Sequence, residues 1–131
     1  MHRFQPNVFS GLYGITDTQL QPGDTLFQQV EQALSGGASI IQYRDKSLDP
    51  STRLDQASRL LQICRKYQRP LIINDDLDLA AQIGADGVHL GQQDGALSTA
   101  RRLLGDDAII GITCHDTLAL ALQAEQDGAN Y

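Results

Sequence analysis

The sequence predicts an α/β fold built on a parallel sheet, and three observations carry that expectation. Short β-branched runs alternate with segments of helical period along the chain. The strand runs are continuously apolar rather than alternating, as strands covered on both faces are. The dipeptide Gly-Ala recurs at Gly37-Ala38, Gly84-Ala85 and Gly128-Ala129, each time between a helix and the strand after it, so the repeating unit is strand then helix.

Leu12 to Thr16 reads as the first strand, and Asp24 is placed to cap a helix whose apolar positions are Leu26, Phe27, Val30, Ala33 and Leu34. Ser35-Gly36-Gly37 ends that helix, and Ala38 to Tyr43 forms the second strand. Asp49-Pro50 supplies an N-cap and an N1 proline for a helix buried through Leu54, Ala57, Leu61 and Cys64. Pro70 to Ile73 is the third strand, Leu77 to Ile83 a short helix, and Gly87 to Leu90 the fourth strand. Ala96, Leu97, Ala100, Leu103 and Leu104 line a helix stopped by Gly105, Ala108 to Ile112 is the fifth strand, and Leu118, Ala121 and Leu122 mark one more helix. A sixth strand would begin at Gly128 to Tyr131.

The 131 residues have room for one domain, 1–131, and the 41% hydrophobic and 20% charged composition is that of a folding, globular chain. Ten Lys and Arg against sixteen Asp and Glu leave a net charge of −6, the wrong sign for gripping nucleic acid or an anionic membrane surface. No apolar run approaches the roughly 20 residues that span a bilayer, and no secretory core stands near the start, so a cytoplasmic protein is expected. Cys64 and Cys114 lie far apart, without zinc or redox spacing, and read as reduced small residues.

Two architectures fit the alternation. An open, doubly wound sheet is complete at about this length, whereas a (β/α)8 barrel usually takes about 250 residues. Polar residues favour the barrel, because they recur at the exit of nearly every strand rather than at one switch point. Gln42-Tyr43-Arg44-Asp45-Lys46 follows the second strand, Asn74-Asp75-Asp76 the third, His89 to Asp94 the fourth, and Thr113-Cys114-His115 the fifth. In either fold these lie on one rim.

That mixture points to a phosphate chemistry. Two carboxylates on adjacent strands suit Mg²⁺, which takes one or two carboxylates plus phosphate oxygens and water, while Arg44 and Lys46 neutralise remaining phosphate charge. Asn74 and Gln42 can bond the polar edge of an organic group, and the Thr113 hydroxyl can donate to a phosphate oxygen. Plainer roles compete: one of Asp75 and Asp76 caps the helix at Leu77, Arg44 and Lys46 pair with Asp45 or Asp49, Asp94 caps the next helix, and His89 is a core histidine bonded to backbone. No P-loop or GxGxxG is present.

The chain resembles the amino-terminal part of the thiamine-phosphate synthases, also called thiamine-phosphate pyrophosphorylases. The matching motifs, in order, are Leu12 to Asp17, Gly36 to Lys46, Leu71 to Asp75, Gly84 to Asp94 and Ile110 to His115. The resemblance implies a (β/α)8 TIM barrel of which about the first five βα units are present, and a transferase that joins hydroxymethylpyrimidine diphosphate to a thiazole phosphate, releasing diphosphate. It implies Mg²⁺ on Asp75 and Asp94, substrate binding by Gln42, Tyr43, Arg44, Asp45, Lys46, Asn74 and Thr113, and Arg44 and Lys46 meeting the charge of the departing diphosphate. Thr113 stands where the family often has serine, Tyr43 where leucine is commoner, and Asp76 where arginine often follows Asn-Asp. The family's thiazole-phosphate loop has no counterpart before Tyr131, so a shortened copy of a longer synthase, with exposed barrel edges and a possible homo-oligomer, is expected.

Three other readings are weighed against it. A thiazole tautomerase shares the barrel but has no need of a metal-bound diphosphate, so Arg44, Lys46, Asp75 and Asp94 together speak for the synthase. A receiver-like signalling domain of five βα units fits the length, but the first strand ends in a single Asp17 and no lysine follows the fifth. A non-catalytic half-barrel would bind a partner or complete itself by dimerising.

Overall fold

The computed structural model describes Phe4 and residues 7–131. Five strands, β1 (Tyr13–Ile15), β2 (Ile40–Tyr43), β3 (Leu71–Asn74), β4 (Gly87–Leu90) and β5 (Ile109–Ile112), alternate with α1 (Thr25–Ser35), α2 (Pro50–Lys66), α3 (Leu77–Ile83), α4 (Leu97–Leu104) and α5 (Leu118–Gln126). All neighbouring strands are parallel and stand in sequence order, β1-β2-β3-β4-β5.

That order decides between the two architectures. A doubly wound sheet reverses direction at a switch point and carries helices on both faces. Here one buried cluster joins Ile41, Tyr43, Leu71, Ile73, Val88, Leu90 and Ile110 of the sheet to Leu26 and Val30 of α1, Leu60 and Cys64 of α2, Ala80 of α3 and Ala100 of α4. Helices α1 to α4 therefore cover one face only, the winding of consecutive units in a (β/α)8 barrel. The opposite face holds a smaller cluster of Val8, Ile40, Ile72 and Ile109, with Phe4 and Tyr13 against it.

Local chemistry explains most element ends. The Asp49 carboxylate accepts from the Thr52 amide with Pro50 at N1, and hydrogen bonds from the Ser51 and Thr52 hydroxyls and that amide draw its pKa down to about 2. Asp24 departs from expectation: it stands at the start of α1 in a helical conformation with no side-chain cap, and its carboxylate pairs with Arg59 at 3.5 Å instead. The buried stripe of α2 runs through Gln56, Ala57, Leu60 and Cys64, with Leu54 and Leu61 only half-buried against the core. Gln56 is drawn inward because it accepts the Tyr43 hydroxyl at 2.7 Å. Cys64 and Cys114 are both free thiols, and burial pushes the Cys64 thiol up to about 12, so it stays protonated.

The Gly-Ala echo has one structural meaning. Gly37, Gly84 and Gly128 all adopt positive φ, and the amide of the following alanine bonds back five residues, from Ala38 to Ala33, Ala85 to Ala80 and Ala129 to Ala124, at 2.9 to 3.0 Å. The next residue then fastens the sheet. Asp86 accepts from the Leu71 amide (2.8 Å) and Arg65 (2.7 Å), and Asn130 accepts from the Ile110 amide (2.9 Å) and Arg101 (3.0 Å). Backbone bonds from Asn130 to Ile110 and from Ile112 to Tyr131 lay the last two residues alongside β5, where the sixth strand was expected. Helix α5 buries no residue, and its Leu118 and Leu122 are 72% and 49% exposed. Among the described residues no helix is long and apolar enough to cross a membrane.

Asp86→Ala removes the acceptor of the buried Leu71 amide and the carboxylate partner of Arg65, which keeps the Gly84 carbonyl, so the urea unfolding midpoint should fall by an amount equivalent to about 2 kcal/mol. An unchanged midpoint would refute the clamp.

Candidate functional site

Side chains alternate along each strand, so the residues opposite the helix-facing row form the inner wall. The register pairs Ile15 with Gln42, Asn74 with His89, and His89 with Gly111, which places these positions together on that wall. Beyond the strand ends the loops add Arg44, Lys46, Asp75, Asp94, Thr113 and His115. Together with Tyr13, Gly91 and Tyr131 they line one open cavity of about 660 Å³. A second cavity of about 370 Å³ between α4 and α5 has no Lys, Arg or His in its lining.

Seven of the expected site residues, Gln42, Arg44, Lys46, Asn74, Asp75, Asp94 and Thr113, thus meet at one mouth. Two do not. Tyr43 is 1% exposed, belongs to the helix-facing core and spends its hydroxyl on Gln56; its odd position in the strand turns it away from the cavity. Asp45 is buried in the loop after β2, where its carboxylate accepts from Thr18 (2.5 Å), Ser47 (3.2 Å) and the Leu48 amide (2.9 Å). Burial raises its pKa, and those hydrogen bonds together outweigh burial and hold it below the usual carboxylate range.

The neighbouring aspartates divide their work. Asp76 caps α3 by accepting from the Leu79 amide (2.9 Å) and pairs with Arg53 at 3.0 Å, so its charge is neutralised away from the cavity. Asp75 sits in the left-handed region, with φ 63, its amide bonded to the His89 carbonyl at 2.8 Å. That conformation costs energy for a residue other than glycine and aims the carboxylate at the mouth, 3.1 Å from the Lys46 ammonium. Lys46 therefore pairs across to β3, and neither Asp45 nor Asp49 takes it. Asp94 closes the loop after β4 by accepting from the Gly91 amide at 2.8 Å and does not cap α4, whose N-cap is Ala96.

Sequence reasoning missed three supports. The buried Thr16 hydroxyl accepts from the Arg44 amide at 3.0 Å and sets where that arginine leaves the sheet. Arg53 lies between Asp45 (3.8 Å) and Asp76 (3.0 Å) and ties two rim loops together. His89 is no backbone-bonded core residue: its Nε2 meets the Thr113 hydroxyl at 2.7 Å and its Nδ1 the Tyr131 hydroxyl at 3.3 Å. Burial, opposed in part by the Asp75 charge, lowers its pKa and leaves the imidazole neutral at physiological pH. Burial likewise raises the Tyr13 and Tyr131 phenols, which keep their protons. Only the hydroxyl-bearing partners on other strands could have revealed this role for His89.

The thiamine monophosphate synthase family model matches residues 12–131. The chain belongs to that family. It is 58% identical over 131 residues to the thiamine-phosphate synthase of Marinobacter nauticus, covering 100% of this chain and 59% of that protein. It is 57% identical over 121 residues to the thiamine-phosphate synthase of Nitrosococcus oceani, covering 92% and 56%. Thiamine phosphate pyrophosphorylase from Pyrococcus furiosus superposes with a TM-score of 0.81 at 36% identity, over 92% of this chain and 57% of that one. The chain thus spans less than three fifths of the length of these relatives, and the cavity described above is built from that part.

Because the Asp45 pKa is depressed in the folded state, its carboxylate contributes stability above the unfolded carboxyl range near pH 4 and loses it as pH falls through the folded value. The stability advantage of wild type over Asp45→Asn in urea unfolding should be full at pH 7 and shrink below about pH 4. A pH-independent difference would exclude this assignment.

Proposed function

We propose that the chain carries the pyrimidine-diphosphate half of a thiamine-phosphate synthase site, for a cytoplasmic transferase acting on small molecules. The observation that supports this most is the meeting of two cations, Arg44 and Lys46, with two carboxylates, Asp75 and Asp94, and two amides, Gln42 and Asn74, around one cavity. A diphosphate carries more charge than two side chains neutralise, and a divalent ion supplies the remainder.

The donor set fits Mg²⁺. Among the described residues no three His, Cys, Asp or Glu side chains cluster as a self-sufficient metal site, and Mg²⁺ is the ion that asks for one or two carboxylates and takes phosphate oxygens and water for the rest. Asp75 and Asp94 would hold it, and when bound it would offset charge on the diphosphate oxygens. The chain's own residues then have distinct tasks. Gln42 and Asn74 orient the pyrimidine edge by hydrogen bonds, and Arg44 and Lys46 hold the diphosphate. As the bond from the pyrimidine methylene carbon to the diphosphate oxygen breaks, its electron pair leaves with the diphosphate, and the two cations stabilise that developing charge. The thiazole nitrogen supplies the pair that forms the new carbon–nitrogen bond. No side chain has to remove a proton for either event, and His89 is engaged at both ring nitrogens by the Thr113 and Tyr131 hydroxyls. A tautomerase reading leaves the paired cations and carboxylates without a task.

Calorimetric titration of the 131-residue chain with hydroxymethylpyrimidine diphosphate tests this. Binding should require Mg²⁺, vanish with EDTA, and weaken at least tenfold in Arg44→Ala and in Asp94→Asn, the loss of one charge-assisted partner each. Equal affinity with and without Mg²⁺, or in either variant, would overturn the reading.

A further inference from the structure

Five side chains, three from β1, β2 and β4 and two, Thr113 and Tyr131, from beyond the strands, form one continuous hydrogen-bonded line across the cavity. Gln42 Nε2 donates to the Tyr13 hydroxyl at 2.9 Å; the Tyr13 and Tyr131 hydroxyls share a bond of 2.5 Å; the Tyr131 hydroxyl meets His89 Nδ1 at 3.3 Å; and His89 Nε2 meets the Thr113 hydroxyl at 2.7 Å. The rings support the same path, with Tyr131 packed at 5.5 Å between centroids on both Tyr13 and His89. Gly111 makes room for it, because a Cβ there would overlap the Tyr131 ring and the His89 Nδ1.

Counting protons leaves the line two directions. A phenol has one proton and a neutral imidazole one N–H, so the spare proton of the line rests either on Thr113 or on Tyr13, whose oxygen can accept from both Gln42 and Tyr131. The Gln42 amide starts the line as a donor to Tyr13. In the direction that suits an anion at the mouth, Tyr13 donates to Tyr131, Tyr131 donates to His89 Nδ1, and His89 carries its single proton on Nε2 and donates it to the Thr113 oxygen. The Thr113 hydroxyl proton is left with no partner inside the line.

We infer that His89 and Tyr131 are positioning residues that fix Thr113 as a hydrogen-bond donor facing the cavity. They also fix Gln42: with Nε2 committed to Tyr13, its carbonyl oxygen is the atom turned to a ligand N–H. The site is thereby set to donate to an anion at Thr113 and to accept from an amino-bearing ring at Gln42. This rests on the diphosphate reading above for the identity of the anion and adds the residues that orient its contact. The opposite direction, with Thr113 donating to His89, would leave an acceptor facing the phosphate and repel it.

The test reads the His89 tautomer directly, by long-range proton–nitrogen correlation NMR on the 131-residue chain labelled with ¹⁵N-histidine, near pH 8 and without ligand. His89→Gln identifies the signal among the three histidines. The proton is expected on Nε2 in wild type and spread over both nitrogens in Tyr131→Phe, which keeps the ring and removes the donor. Titration with inorganic diphosphate in Mg²⁺ should then be about tenfold weaker in Tyr131→Phe and in Thr113→Val, and restored by Thr113→Ser. A proton on Nδ1 in wild type, or a Tyr131→Phe chain that shifts the tautomer without weakening diphosphate, overturns the inference. Wild type with the proton on Nε2 but no diphosphate binding supports the direction of the line and counts against the diphosphate reading instead.

Discussion

The site depends on the burial of one row of side chains. Ile41, Tyr43, Leu71, Ile73, Val88, Leu90 and Ile110 all turn toward α1 to α4, and the two-residue period of a strand then forces their neighbours the other way. Gln42, Asn74 and His89 face the cavity because Tyr43, Ile73, Val88 and Leu90 do not. A slip of one residue in any strand would bring an amide or imidazole into the helix layer and an aliphatic chain into the mouth. Hydrophobic burial on one face, worth about 2 kcal/mol for each fully buried aliphatic side chain, thus holds the polar residues of the other face in place. Gly87 marks how tight that register is, since a Cβ there would overlap the Ile109 carbonyl on the adjacent strand.

Above the sheet, charge does for the loops what burial does for the strands. Arg53 sits between Asp45 and Asp76, and Asp45 gathers Thr18, Ser47 and the Leu48 amide around itself. These charges offset one another behind the rim. The charges of Arg44, Lys46, Asp75 and Asp94 line the cavity. Asp76 therefore does not load the mouth with negative charge; its partner is the arginine of α2.

The order of elements and the rim itself were legible in the sequence because strand exits and helix caps are local signals: Asp49-Pro50, the three Gly-Ala pairs, and polar runs following apolar ones. The barrel was legible over the open sheet only through the polar residues that recur at nearly every strand exit; the strand order that decides it is a matter of long-range pairing. Within the run from Gln42 to Lys46 the pattern marked the segment but not which members face inward; Tyr43 and Asp45 share its chemistry and turn away from the cavity. Arg53 and Thr16 were invisible for another reason. Each acts on a residue more than one element away or on a backbone amide, and an arginine inside an amphipathic helix looks like any solvated charge. His89 was misread as bonded to backbone because its partners, Thr113 and Tyr131, come from other strand positions.

The Lys46–Asp75 pair is the one rim interaction that the proposed reaction has to undo. Lys46 is 61% exposed, and an ion pair so placed contributes at most about 1 kcal/mol. Under the diphosphate reading, Lys46 would exchange the Asp75 carboxylate for a phosphate oxygen and leave Asp75 to hold a divalent ion. The weak pair keeps each side chain near the position where it would be needed. Asp75 is set there by backbone constraint, through its left-handed φ and its amide bond to the His89 carbonyl, so the carboxylate has little freedom to follow the lysine away. The same His89 whose carbonyl anchors Asp75 orients Thr113 through its ring, which couples the carboxylate side and the hydroxyl side of the mouth through a single residue of β4.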